Sequence, residues 1–229
     1  MQRPHPRRHR PFRSDRTGQP GVEPGRSLSA GTTEGGKVKL LASSTSPYAR
    51  KLRVIAHELG IALPVEDTAP MTDPAALLAA NPLGKVPALV LDDGSAIIDS
   101  PVIAAFLLAS VPGQHLMAQS GHDHWQARTT EALADGVLDA AIILRFNMAQ
   151  GITSGPWVDR QYRAIERALS VMNTRAGGSG FGDICIAVAC DYLSFRFTDL
   201  HWREHNAALA ELTDRLLATP AFAATRPPA

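Results

Sequence analysis

Strand-forming segments are confined to one stretch of this chain. Apolar runs with strand character occur at residues 37–43, 63–67 and 86–91, and a fourth run at 95–98 follows a hairpin turn at 92–94. Beyond residue 98, apolar residues recur only at helical spacing. This division excludes all-β architectures and predicts an α/β domain followed by an all-helical domain.

Helix signals alternate with those strands. Pro47 suits the first position of a helix that ends before Gly60, Asp73 is placed to cap a short helix reaching residue 80, and Ser100 opens a helix over 101–110. The predicted order is βαβαββα within residues 37–112. Residues 122–229 then form an all-helical domain, with helices predicted over four segments: 125–150, 158–174, 184–197 and 204–217.

The first 36 residues differ from the rest in composition. They carry seven Arg against three acidic residues, eleven of them are Pro or Gly, and few are apolar. Such a segment buries too little surface to offset its ordering entropy, so we predict a disordered basic tail. Two interpretations are open: an inert extension from a misplaced start, which we favour, or a nucleic-acid-binding or organelle-targeting arm, with residues 3–16 supplying the positive charge.

Overall composition narrows the class of protein. The formal net charge is +1, which excludes a uniformly basic nucleic-acid binder, and no apolar run is long enough for a secretory signal or a membrane span. Cys185 and Cys190 form no CxxC motif and lie in one apolar run. We therefore expect two buried thiols in a protein of the reducing cytoplasm, with no membrane partner.

The junction between the first strand and the first helix is the most informative segment. Ser44, Thr45 and Ser46 precede Pro47, so their hydroxyls lie where backbone N–H groups and the helix dipole favour an anion. One of these hydroxyls either caps the helix or donates to a bound anion. Further along, Pro87 at the head of a strand predicts a rigid turn, which could be cis.

These segments together resemble the cytosolic glutathione S-transferase family, and within it a bacterial subgroup with a Ser-type TSP(F/Y)xRK motif. The chain has TSPY at 45–48 followed by Arg50 and Lys51, then NPLGKVPAL at 81–89, and Asp99-Ser100. Further matches are EALADG at 131–136, YLSFR at 192–196 and the PAF and TRPP segments near the C-terminus. The resemblance spans about residues 38–228.

The resemblance implies a fold, a ligand and an assembly. It implies a thioredoxin-like domain that binds glutathione as a co-substrate, a helical domain that walls the second-substrate site, and a homodimer. By position, Ser46 would face the glutathione sulfur, and Val86 would pair through its backbone with the cysteinyl part, ahead of a cis Pro87. The last site residues it implies are Asp99 and Ser100 for the γ-glutamyl end and Lys85 for a carboxylate.

Elementary energetics agree with the role implied for Ser46. A serine cannot act as a base near neutral pH, but a hydrogen bond to a thiolate contributes about 1.5–3 kcal/mol, and a helix N-terminus about 0.3–1 kcal/mol. The sum lowers a thiol pKa by roughly 1.5–3 units. Ser44 and Thr45 remain alternatives. Ser46-Pro47-Tyr48-Ala49 has no cysteine, so the sulfur must come from glutathione. We predict attack on a small electrophile, with peroxidase, reductase or dehalogenase activity also open.

Other candidate sites are weaker. His201 and His205 have a metal-compatible spacing but no third ligand, so we predict a solvated face and no metal site. Asp135 and Asp139 share a helical face, which could pair the two carboxylates. In the family that the chain resembles, this helix lines the cleft between the domains, so we favour a role in the interface or in helix polarity over one in shaping the site. Four residues are candidates for the second-substrate wall, with a place in the hydrophobic core as the default alternative: Tyr48, Met148, Trp157 and Tyr192. A non-catalytic binding or stress-related partner protein of the same fold is the alternative to an enzyme.

Overall fold

The computed structural model describes residues 38–228. Its first half contains four strands and three helices in the order predicted from the sequence. They are β1 (Lys39–Ala42), α1 (Pro47–Glu58), β2 (Val65–Asp67), α2 (Ala75–Ala80), β3 (Ala88–Val90), β4 (Ala96–Ile97) and α3 (Ser100–Ala109). The predicted basic tail at 1–36 lies outside the described residues.

The four strands form one mixed sheet in the order β2-β1-β3-β4. β1 and β2 are parallel, with Leu40 opposite Val65, because α1 provides the crossover between them. β3 runs antiparallel to β1, and β4 antiparallel to β3 across the predicted hairpin turn. This is the thioredoxin-like arrangement, so the predicted fold class is confirmed.

The second half is entirely helical in the described part of the chain. It contains α4 (Gly121–Ala149), α5 (Pro156–Asn173), α6 (Phe181–Arg196), α7 (Ala207–Leu217) and α8 (Pro220–Ala224). Helix α6 is buried along most of its length, as its apolar sequence predicted. No helix within residues 38–228 has the length and apolarity needed to cross a membrane.

Three details of the sequence prediction were wrong. Asp73 does not cap α2: it has a left-handed backbone (φ 47) after a 3-10 turn, and Pro74 disfavours a helical conformation at the residue before it. The helix predicted at 204–217 begins only at Ala207, because the buried Asn206 side chain donates to the Trp202 carbonyl and closes a separate 3-10 turn. Helix α8 is too short for periodicity to reveal.

Helix α1 lies between the two halves. Pro47 occupies its first turn, and the Ser46 hydroxyl oxygen accepts a hydrogen bond from the Ala49 N–H at 3.3 Å. The buried side of α1 faces α3 within the first domain and α6 of the second. One continuous apolar core therefore runs from the sheet through α1 into the helical domain, with Leu52 and Ile55 fully buried in it.

Candidate functional site

Three separate segments meet at one edge of the sheet. Leu41 pairs with Ala88 in the antiparallel β1–β3 ladder, so continuing that register by one residue brings Pro87 level with the end of β1. Continuing the β3–β4 register by two residues brings Asp99 beside Pro87. The loop after β1, the start of β3 and the end of β4 are therefore neighbours, and the predicted site residues Ser46, Lys85, Val86, Pro87, Asp99 and Ser100 all lie at this edge.

Four hydroxyl groups lie just before α1, on residues 43–46. The Ser46 Oγ accepts from the Ala49 N–H, which leaves its own hydrogen free to donate to a ligand. Thr45 Oγ1 and Ser43 Oγ are 3.3 Å apart, and Ser44 is exposed. The predicted helix cap is thus confirmed at Ser46, and the same hydroxyl can also serve an anion at the positive end of the helix.

The loop before β3 is shaped by one buried side chain. Asn81 donates through Nδ2 to the Lys85 carbonyl at 2.7 Å and accepts the Leu83 N–H on Oδ1 at 3.1 Å. Gly84 has a φ of +63, a backbone conformation in which a residue with a side chain would be strained. The Val86–Pro87 peptide that follows is cis, in agreement with the expectation from the sequence.

Asp99 and Ser100 differ in exposure although they are adjacent. Asp99 is exposed at the N-cap position of α3, and its side chain makes no capping hydrogen bond. Ser100, the first residue of α3, is only 3% exposed. Lys85 extends an exposed side chain near the same edge. A carboxylate, a hydroxyl and an ammonium group with a helix N-terminus can bind a ligand that carries both charges.

A narrow crevice opens on the other side of the hydroxyls, toward the helical domain. It is bounded by residues from the start of α1 and the segment before it, from α6 and from near the C-terminus: Ser44, Thr45, Ser46, Pro47, Arg50, Val188, Asp191, Tyr192, Phe195 and Pro227. Tyr192 lines this crevice, and its place in a second-substrate wall stays a prediction. Met148 and Trp157 are largely exposed and are not among the residues that line this crevice.

Helix α1 is bound to the helical domain by ionic contacts that the sequence analysis missed. Lys51 is 1% exposed, and its Nζ lies 3.0 Å from a Glu131 oxygen and 2.7 Å from an Asp135 oxygen. Arg50 Nη1 donates to Asp191 on α6. The sequence shows two adjacent cationic residues in α1 and two acidic residues four positions apart in α4. Nothing in the sequence indicates that these cationic and acidic residues pair with each other.

The Tyr48 hydroxyl makes a further contact between the domains. It donates a hydrogen bond to an Asp139 carboxylate oxygen. Burial raises the pKa of Tyr48 well above its usual range, and the bond to Asp139 raises it further, so the phenol stays protonated. Asp135 and Asp139 therefore serve the domain interface, which was the favoured interpretation of their shared helical face.

No protein nucleophile or metal centre competes with this edge in the described part of the chain. Cys185 and Cys190 are unpaired and buried, as predicted, and burial raises the pKa of the Cys190 thiol to about 12. Among residues 38–228, no three His, Cys, Asp or Glu side chains are placed to hold a metal ion. His201 and His205 are exposed on a 3-10 turn.

The fold and this edge define a two-domain protein in which a helical domain is packed against the first helix of a thioredoxin-like domain. A sequence model of the glutathione S-transferase N-terminal domain matches residues 45–110. The uncharacterized GST-like protein YibF of Escherichia coli (strain K12) is 31% identical over 200 residues, covering 83% of this chain and 99% of that protein. The chain belongs to the glutathione S-transferase family.

Solved structures agree with this assignment. A glutathione S-transferase from Methylobacillus flagellatus KT, crystallised with glutathione bound, is 32% identical, with a TM-score of 0.78 over 84% of this chain and 100% of that one. A glutathione transferase family member from Pseudomonas fluorescens Pf-5, also with bound glutathione, is 36% identical, with a TM-score of 0.76 over 84% and 100% of the two chains.

Proposed function

We propose that this protein is a glutathione transferase that activates glutathione as a thiolate and transfers it to a small electrophile. The observation that carries the proposal is the meeting of the α1 hydroxyls, the cis Val86–Pro87 peptide and the Asp99 carboxylate at one sheet edge. These groups match the parts of glutathione, a tripeptide with a backbone to pair, charged ends to hold and a thiol to ionise. The glutathione-bound relatives support the same ligand.

In this proposal each site residue holds one part of glutathione. The Val86 backbone pairs with the cysteinyl residue as an added strand would. Asp99 accepts from the γ-glutamyl ammonium, while Ser100 and the N-terminus of α3 hold the adjacent carboxylate. Lys85 extends to a carboxylate of the tripeptide. This arrangement directs the thiol toward the start of α1.

Ser46 then activates the sulfur. Its hydroxyl donates to the thiolate, and the α1 N-terminus adds favourable electrostatics, so the bound thiol ionises near neutral pH. The thiolate attacks an electrophilic carbon; a sulfur–carbon bond forms as the leaving group departs with its bonding electrons. This is the Ser-type chemistry of the bacterial subgroup that the motif resembles, and detoxification of electrophiles is its expected use.

The test is the pKa of the bound thiol, followed by ultraviolet absorbance of the thiolate. In Ser46→Ala we expect that pKa to rise by roughly 1–2 units with a smaller change in glutathione affinity, because one hydrogen bond to a charged group is lost. Ser44→Ala and Thr45→Val are the matched controls. If the pKa of the bound thiol rises in Thr45→Val or Ser44→Ala instead, the residue changed in that variant is the donor to the thiolate. Binding without ionisation in the native protein would favour the non-catalytic partner protein.

We also propose a cytoplasmic homodimer. Two unpaired thiols suit a reducing compartment. Large apolar side chains are exposed on the first two helices after the sheet, with Val102 at 50% and Trp125 at 67% exposure. Such side chains are common at subunit interfaces. Sedimentation equilibrium of the full chain should give twice the monomer mass, and a monomer at micromolar concentration would overturn this part of the proposal.

A further inference from the structure

Arg50 has donors that nothing in the described chain accepts. Its side chain is buried, and Nη1 donates to Asp191. Nε and Nη2 are also buried, and neither makes a hydrogen bond to any group within residues 38–228. Buried polar groups are nearly always paired, so two free donors on one guanidinium call for a ligand.

The free donors form a definite shape. In a guanidinium group, Nε–H and Nη2–H point the same way along one edge, with the spacing of the two oxygens of a carboxylate. Asp191 occupies the Nη1 side. The unpaired edge of Arg50 therefore has the geometry to bind one planar anion in a two-bond arrangement while the contact to Asp191 is kept.

The position of Arg50 relates this anion site to the proposed chemistry. Arg50 lines the crevice that also contains Ser44, Thr45 and Ser46, whose hydroxyls lie at the start of α1. An anion bound to Arg50 would therefore lie beside the proposed sulfur position.

The facing wall of the cleft is also cationic. Burial raises the pKa of Tyr192, which lines the crevice, while Arg145 and Arg196 lie close enough to its hydroxyl to oppose that rise. Nε of Arg196 is likewise buried without an acceptor among the described residues. Arg145 and Arg196 thus add positive charge near Tyr192, while the carboxylate of Asp191 is already paired with Arg50. The balance of charge favours an anionic second substrate.

We propose that Arg50 binds a carboxylate of the second substrate, so that the enzyme prefers small electrophilic acids to their neutral analogues. This inference rests on the proposed glutathione transferase function. Iodoacetate and iodoacetamide are a suitable matched pair. In both, the thiolate sulfur attacks the methylene carbon, a sulfur–carbon bond forms, and iodide leaves with the electron pair of the broken carbon–iodine bond.

The first measurement is the rate with each reagent, divided by the rate of free glutathione. The native protein should accelerate iodoacetate about tenfold more than iodoacetamide, the factor expected for a charge-assisted hydrogen-bonded pair. Arg50→Gln should remove this preference. Asp191→Asn should increase it, because the negative charge of Asp191 no longer offsets the positive charge of the guanidinium. Arg53→Gln, on the same helix but outside the crevice, should keep the native ratio.

Calorimetry of the two products separates this inference from the function on which it rests. S-carboxymethylglutathione should bind about tenfold more tightly than S-carboxamidomethylglutathione, and Asp191→Asn should widen the difference. This variant retains Arg50 even if Arg50→Gln fails to fold. Equal binding of both conjugates, unchanged in Asp191→Asn, would overturn the inference alone. Failure to bind glutathione or either conjugate would overturn the proposed function and the inference with it.

Discussion

The segment just before α1 and the early part of α1 itself use polar residues in opposite ways. In the first, Ser44, Thr45 and Ser46 are at least partly exposed and make only local hydrogen bonds. In the second, Arg50 and Lys51 are buried and paired with carboxylates of the helical domain. One short motif thus contains both the groups available to a ligand and the groups that bind the two domains together.

This contrast separates stability from function within the motif. Removing one member of a buried ion pair leaves a charge without compensation and destabilises the fold strongly. Removing a half-exposed hydroxyl affects the fold little beyond a helix cap. Arg50 and Lys51, which help to make the motif recognisable, are therefore explained largely by their contacts at the domain interface. The hydroxyl residues of the motif are explained by the proposed glutathione site.

The largest expected effect is that of Lys51→Met on stability. This change leaves Glu131 and Asp135 facing an uncharged side chain at the interface, and it should lower the free energy of unfolding by about 3–5 kcal/mol in urea denaturation. Lys39→Met is the matched control, because Lys39 makes an exposed pair with Glu66 and should contribute less than about 1 kcal/mol. Equal losses in the two variants would remove the distinction drawn here.

Asn81→Ala tests whether the loop before β3 supports the proposed glutathione site. The change removes two hydrogen bonds that shape the 81–85 loop, so the free energy of unfolding should fall by about 1–3 kcal/mol. Glutathione affinity should also fall, because the Val86 backbone loses its fixed position. Thr72→Ala, which removes one exposed hydrogen bond, should change stability by less than about 0.5 kcal/mol. If glutathione affinity is unchanged in Asn81→Ala, the conformation of the 81–85 loop is not required for glutathione binding.

A smaller effect should appear at alkaline pH. Because the folded-state pKa of Tyr48 is raised, the folded protein keeps a proton that the unfolded chain loses above pH 10, so stability falls as pH rises. Between about pH 10 and pH 11, the native protein should lose about 1 kcal/mol more than Tyr48→Phe. Near neutral pH, the free energy of unfolding should change with pH by the same amount in the native protein and in Tyr48→Phe. A steeper loss in Tyr48→Phe would contradict the assigned contact.

The smallest expected effect is that of deleting residues 1–36. The composition of that segment predicts no part in the core, so the melting temperature and glutathione affinity should stay within experimental error of the full chain. Differential scanning calorimetry of both forms is sufficient. A large drop in melting temperature would show that the segment is structural.

The sequence predicted local features well and distant pairings poorly. The order of strands and helices along the chain and a hydroxyl cap among residues 44–46 follow from spacing and residue type within a few positions, and the cis Pro87 was implied by the family resemblance. The pairing of Arg50 with Asp191 joins residues 141 positions apart, and periodicity within one helix carries no information about such a partner. Asp73 was misassigned for a local reason, since the following proline outweighed its capping propensity.

The most direct test of the central claim is a calorimetric titration of the full chain with glutathione, beside Asp99→Ala. The proposed site predicts saturable binding that Asp99→Ala loses. Asp159→Ala is the matched control, because Asp159 is also an exposed acidic residue at the start of a helix. This variant should bind glutathione with the affinity of the native protein. No binding up to about 10 mM glutathione, equivalent to less than about 3 kcal/mol, would contradict the account and leave only the fold.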